Sequence, residues 1–242
     1  MAGETRISGI DKIFVLHCKS GYEDRAESIE SQFANHQLAF DYILDWDVSD
    51  LTPISKKHFS PHLSDVLISL CQKHFEVMRQ VVRHEYKRVV VFEDDIFLFP
   101  NFRTEMSRVV AESDSLPFPH AIYLSNSCNK YTPRSQRIRG KILYEQDHSR
   151  AADAYVLTLE VCKRRLNWLE NNQIGVALDH LYCNMDRELG IKMYWVEDPI
   201  CEQGSMNGRF SSSIENEHLL WVQRMRWKLD KFYKMHILRN LR

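Results

Sequence analysis

The sequence predicts an α/β domain, a mostly parallel sheet wrapped by helices. Two observations carry that reading: short apolar runs rich in β-branched and aromatic residues, and amphipathic stretches of helical period that alternate with them along the first half of the chain. The composition agrees. With 44% hydrophobic and 27% charged residues in 242, the chain can bury a substantial core, which excludes disordered and fibrous classes.

The elements follow in order. IFVLHC (residues 13–18) reads as a buried strand that runs through the turn formers of KSGYED into a helix over 23–36, with Ala26, Ile29 and Phe33 on one face. FDYILDW offers a second strand, and a polar segment with Pro53 and Pro61 separates it from a long amphipathic helix over 63–82, marked by Leu63, Leu67, Leu70, Cys71, His74, Met78 and Val81. VVVF (89–92) is the third strand. HAIYLS is a further strand, and CNKYTPRSQRIRG is read as a mobile basic loop. AYVLTL is a strand backed by the helix VCKRRLNWLE; DHLYCNMDREL is a helix opened by Asp179; IKMYWVEDP is the last clear strand, stopped by Pro199. A Gly- and Ser-containing loop, CEQGSMNGRFSSS, then leads to a basic tail helix.

A formal net charge of -1 gives no global reason to expect nucleic acid as a partner. The six cysteines form no C-x-x-C pair and read as free thiols of a reducing compartment. The apolar patch near the N-terminus is too short for a signal-peptide core, and no run approaches the roughly 18–20 apolar residues of a membrane span. The expected location is the cytoplasm.

The chemistry is expected where VVVF gives way to Glu93, Asp94 and Asp95. In open α/β sheets ligands bind at the carboxyl ends of strands, and these acids sit at such an end. If the chain stays extended, Glu93 and Asp95 share a face while Asp94 points the other way. Two carboxylates about 4 Å apart at an effective dielectric of about 20 repel by roughly 4 kcal/mol, about three pKa units. Either one takes a proton or a hard divalent cation joins them, magnesium or manganese being suited to carboxylate and phosphate oxygens. The competing reading is that the acids cap the sheet edge, face solvent, or pair with Arg88 or Arg103. A phosphatase nucleophile would require Asp as the first acid, and that position is Glu93.

Five segments then resemble glycosyltransferase family 25 in the order in which the family carries them: IFVLHCKSGYEDRAESIESQF, VVVFEDDIFLFPNF, AADAYVLTLEVCKRRL, ALDHLY and DPICEQGSMNGRFSSSI, spanning residues 11–214. The resemblance implies a GT-A type, Rossmann-like fold over residues 1–214, a UDP-sugar donor carrying a hexose such as galactose or glucose, and inverting transfer to a saccharide or other hydroxyl acceptor in glycan or lipooligosaccharide biosynthesis. It also implies a manganese or magnesium ion on Glu93 and Asp95, with donor contacts from His17, Lys19, Arg25, Asp94 and Gln203. A general base is implied at Asp179, with Asp153 as the second candidate or a donor-sugar contact. Taken singly, Asp179 also fits a helix N-cap, Arg25 a salt bridge on its helix and Gln203 an ordinary loop residue. Leu70 stands where the family has a histidine, and His17 and Cys18 replace Asn and Leu. These departures leave a second class open, a catalytically silent scaffold that binds a nucleotide-sugar or glycan.

The tail, residues 215–242, sets Arg224, Arg226, Lys228, Lys231, Lys234, Arg239 and Arg242 against the single acid Asp230, with Trp221, Trp227, Phe232, Met235 and Leu238 interleaved. It is expected to pack on the domain or on a second subunit, or to lie peripherally on an anionic membrane.

Overall fold

The computed structural model describes residues 6–210 and 220–241. The expected boundary at 214/215 and the Ser-rich end of the last resembling segment lie outside the described residues, as do Arg242 and the side chains of Trp221 and Arg224.

A seven-stranded sheet forms the core. Its strands are β1 (Lys12–Leu16), β2 (Asp41–Ile43), β3 (Arg88–Glu93), β5 (His120–Tyr123), β6 (Leu143–Gln146), β7 (Ala154–Thr158) and β8 (Lys192–Val196), in the spatial order β2-β1-β3-β7-β5-β8-β6. Five run in one direction, so the sheet is mostly parallel as expected; β7, between β3 and β5, and β6, at the edge, run against them. A small second sheet pairs β4 (Ile96–Leu98) with β9 (Cys201–Gln203) antiparallel.

Helices cover both faces. On one lie α3 (Asp65–Arg83), α5 (Leu159–Asn171) and α6 (Leu178–Leu189); on the other lie α1 (Glu23–Asn35) and α4 (Phe102–Ser113). The apolar run of β3 belongs at the centre because both faces are covered: Val89 and Val91 enter the core under α3, while Val90 and Phe92 enter the core under α1 and α4. Short helices α2 (Pro53–Lys56) and α7 (Gly204–Asn207) lie in the connections, and the C-terminal segment comprises α8 (Leu220–Phe232), a π-helical stretch Tyr233–Leu238 and α9 (Arg239–Leu241).

Three departures from the sequence reading concern the site. The chain turns at Asp94 and Asp95 instead of staying extended, which lets β4 fold back beside the acids. CEQ is a strand, not a loop, and α7 follows it at once; Gly204 is required there, because a Cβ would stand 2.9 Å from the Asp95 carbonyl oxygen and 2.7 Å from the rings of Phe97 and Phe210. The basic segment after β5 is a loop, but its first half is anchored: Asn129 and Thr132 are buried, and the Thr132 amide donates to Glu197 at 3.1 Å. Among the described residues no helix is long and apolar enough to cross a membrane.

Candidate active site

The ends of β1 and β3, the loop after β2, the start of α3 and the β9–α7 junction enclose a cavity of about 360 Å³. His17, Arg25, Glu93, Asp94, Asp95 and Gln203 all line it. Elements from four parts of the chain therefore bring six of the nine expected site residues together.

The alternation of β3 sets the acids apart. Asp94 continues the face of Phe92, towards α1, and both its oxygens are engaged: His17 Nδ1 lies 2.7 Å from Oδ2 and Arg25 Nη1 donates to Oδ1 at 2.8 Å. All three side chains are buried, so Asp94 ties the loop after β1 to α1 and fixes one wall of the cavity. Arg25 also lies over the Tyr22 ring at 4.7 Å, a cation–π contact.

Glu93 and Asp95, the latter in the turn beyond the strand, have no bonded arginine or lysine among the described residues. Gln203 Nε2 donates to Glu93 Oε2 at 3.2 Å, and the Ser205 amide donates to Asp95 Oδ2 at 3.1 Å. Asp95 Oδ1 is buried with no hydrogen-bond partner among the described residues. The Glu93 carboxyl is pushed well above its ordinary range by burial first, then by the charges of Asp95, Asp153 and Asp94. Burial likewise raises Asp95, against hydrogen bonding from Ser205 and the charge of Arg25. The two arginines named in the competing reading are engaged elsewhere. Arg88, at the opposite end of β3, pairs with Asp114 at 2.6 Å, and Arg103 donates to backbone carbonyls of Arg6, His36 and Gln37.

Behind the pair sits Asp153. Because β7 is antiparallel to β3, the residue preceding it falls beside Glu93, whose amide donates to the Asp153 carbonyl at 2.8 Å. The Asp153 carboxylate is fully buried and accepts from the hydroxyls of Ser125 (2.7 Å) and Ser127 (2.9 Å). Burial lifts its pKa to about 7 in spite of those two bonds, with the charge of Asp95 adding to the rise. Asp153 is thus in the acid cluster but beneath the cavity lining.

Besides Asp153, two expected residues lie outside the lining. Lys19 Nζ turns to Asp50 at 2.6 Å on the surface. Asp179 is in the first turn of α6, half-buried, where its Oδ1 accepts from the next amide; Ala177, not Asp179, occupies the N-cap position. Lys73 does line the cavity, but its ammonium group is consumed by Asp47 Oδ1 (2.7 Å) and the carbonyls of His17 and Asp45 (both 2.9 Å).

One residue was missed. Leu70 holds a place in the cavity wall, and the histidine that approaches the acids is His74, one helical turn further along α3. His74 Nε2 stands 3.6 Å from Glu93 Oε1, and its Nδ1 is 2.6 Å from Tyr155 Oη. Burial, with the positive charge of Arg165 assisting, depresses its pKa to about 3, so the ring is neutral. The available signal was a lone histidine on the apolar face of a long helix, nineteen residues before the first acid.

The donor set suits a hard divalent cation in one respect and limits it in another. Two neighbouring carboxylates with no cation bonded to them, one oxygen of which is buried and unpartnered among the described residues, are what such an ion neutralises. Among the described residues, however, no three acids, histidines or cysteines converge as a complete ligand set. A cation here would rest on Glu93 and Asp95 and complete its shell with oxygens of water or ligand.

No family model and no curated protein matches the chain. Solved structures resemble it faintly over most of its length. They include a glycosyltransferase involved in the glycosylation of the major capsid of PBCV-1 (9% identity, 90% of this chain and 99% of that one, TM-score 0.36). Others are the inositol-1-phosphate CTP transferase from T. maritima (11%, 90% and 77%, TM-score 0.37) and UDP-glucose pyrophosphorylase complexed with UDP-glucose (9%, 77% and 90%, TM-score 0.39). Likenesses at this level carry no functional argument, which leaves function to the geometry of the site.

Proposed function

We propose that this protein is a divalent-cation-dependent glycosyltransferase that moves a hexose from a UDP-sugar to a hydroxyl acceptor with inversion. The observation that carries the proposal is the proximity of Glu93, partly open to the cavity, to the buried Asp95 at the mouth of β3, with no arginine or lysine bonded to either among the described residues. The family resemblance of the five ordered segments supports the same reading.

In this reading Glu93 and Asp95 hold the cation, and Gln203 steadies Glu93 through the 3.2 Å bond. A bound manganese or magnesium ion supplies charge neutralisation for the departing nucleotide diphosphate. Arg25 and His17, locked by Asp94, form a rigid wall against which the donor is oriented. Asp179 lies outside the cavity lining, half-buried and with one oxygen uncommitted among the described residues; the family resemblance supports it as the group that takes the proton of the acceptor hydroxyl as the anomeric carbon develops oxocarbenium character. Asp153, sealed and bonded to two hydroxyls, is less suited to meet an acceptor and instead shapes the charge beneath the pair.

Hydrolysis of a panel of UDP-sugars in manganese tests the proposal. Turnover of at least one donor, abolished by Asp95→Ala in a protein that unfolds at the same temperature or higher, is the expected outcome. Folded protein that binds UDP yet turns over no donor points instead to the silent scaffold.

A further inference from the structure

The C-terminal segment from Leu220 to Leu241 is docked by its polar side. Trp227 Nε1 donates to the Ser127 carbonyl at 3.3 Å and Asp230 accepts from Asn129 at 3.0 Å. Lys231 pairs with Glu202 at 3.1 Å, and the buried Arg239 pairs with Glu197 at 2.9 Å. The other side is turned to solvent and is apolar: Met225, Leu229, Phe232, Tyr233, Ile237 and Leu241 are all exposed, Leu229 by 64% and Phe232 by 60%. A helix that merely closes a domain does the reverse, burying its apolar stripe and exposing its charges.

The rim of this stripe is positive. Arg226 and Lys228 are exposed and have no acidic partner among the described residues. At the far end Arg134 reaches Asn240 at 3.4 Å, joining to the helix a loop that exposes Arg139 and, by 62%, Ile138. An apolar band of about 25 Å in length, bordered by positive charges, narrows the choice of occupant. A second copy docked through the same face would set these cations against their own kind. A bilayer carrying anionic headgroups meets both features at once, apolar depth beneath the band and negative charge along its border.

We propose that the solvent-facing side of the C-terminal segment lies in the interface of an anionic lipid bilayer. Leu229, Phe232, Ile237 and Leu241 enter the apolar layer, and Arg226, Lys228, Arg134 and Arg139 lie at the phosphates. The segment rests on the surface, since no described helix is long and apolar enough to cross. The inference rests on the tail and its neighbouring loop alone and stands independently of the sugar-transfer reading.

Sedimentation of the full chain with vesicles of phosphatidylcholine, with and without phosphatidylglycerol, tests it. The protein is expected to sediment with the anionic vesicles, to remain in solution with the neutral ones, and to be released as salt is raised. Combined Leu229→Glu and Phe232→Glu is expected to weaken partitioning by at least about tenfold, and Arg226→Gln with Lys228→Gln by about fivefold per charge. Both variants should keep the thermal unfolding of the parent, because these side chains leave the docked face intact. Recovery of the Leu229→Glu, Phe232→Glu variant equal to that of the parent, or no sedimentation at low salt, overturns the proposal. So does a dimer in velocity sedimentation that this variant converts to monomer.

Discussion

Asp186, fully buried between α5 and α6, receives two parallel bonds from the equally buried Arg165, at 2.8 Å and 2.6 Å. Asp95 and Asp153, buried at the end of β3, share their space with Glu93, and the nearby Arg25 is already bonded to Asp94. The same chain therefore buries carboxylates in two ways. Where a guanidinium is supplied in fork geometry the acid is architecture, a brace between helices. Where none is supplied the cluster is costly to the folded state, and acids in that condition persist at sites that await a charge from outside. Compensation, rather than burial or acidity alone, separates brace from site.

The comparison breaks most visibly at the brace. Asp186→Ala leaves Arg165 buried without a partner and is expected to cost about 3–5 kcal/mol in chemical denaturation; a loss below about 1 kcal/mol would make the pair dispensable. The acid cluster should behave in the opposite sense. The Asp153 carboxyl is raised from 3.8 to about 7, so between those pH values the folded chain keeps a proton that the unfolded chain has released. The resulting stabilisation is complete below about pH 4 and is lost as pH rises through about 7. Asp153→Asn removes that dependence, and relative to the parent the variant should gain stability across the window, by up to about 4 kcal/mol. His74 works against this slope, since a ring held neutral down to about 3 stabilises above pH 6.5 and loses that contribution as pH falls. It is present in both proteins and cancels in the difference. Parallel stability curves for the two proteins from pH 4 to 8 would remove Asp153 from the uncompensated group. The smallest effect belongs to an acid that is compensated but wet: Glu145, half-exposed and 2.6 Å from Lys192. Glu145→Gln should change stability by less than about 1 kcal/mol, and a larger loss would mean that pairing matters without burial.

Much of the frame could be read before the structure because it is written locally. The all-apolar run of β3, the period of α3 and the β-branched run of β1 each identify their element without reference to distant sequence. Other parts could not be read so. The helical spacing of Phe102, Met106, Val109 and Val110 was hidden behind IFLFPNF, which continues the apolar character of β3. The three residues of β9 become a strand only because β4 lies opposite and Gly204 lets the chain approach Asp95.

The site divides in the same manner. That Glu93 and Asp94 face opposite sides follows from the pleat of β3, a local property. That Asp153 and His74 approach Glu93 depends on an antiparallel strand slotted beside β3 and on the crossing of α3, and no nearby residue encodes either. Lys19 shows the converse. The family resemblance implied donor contact for it, and the loop after β2, distant in sequence, supplies the Asp50 that holds its ammonium group.

The central claim is that Glu93 and Asp95 lack a cation that the ligand-bound protein acquires. Manganese binding followed by electron paramagnetic resonance, with UDP present, measures this directly. The account predicts one bound ion per chain in the parent protein and none, at the same concentrations, in Glu93→Gln or Asp95→Asn variants that stay folded. Manganese held equally well by the parent and both variants, or by none of them, would contradict it.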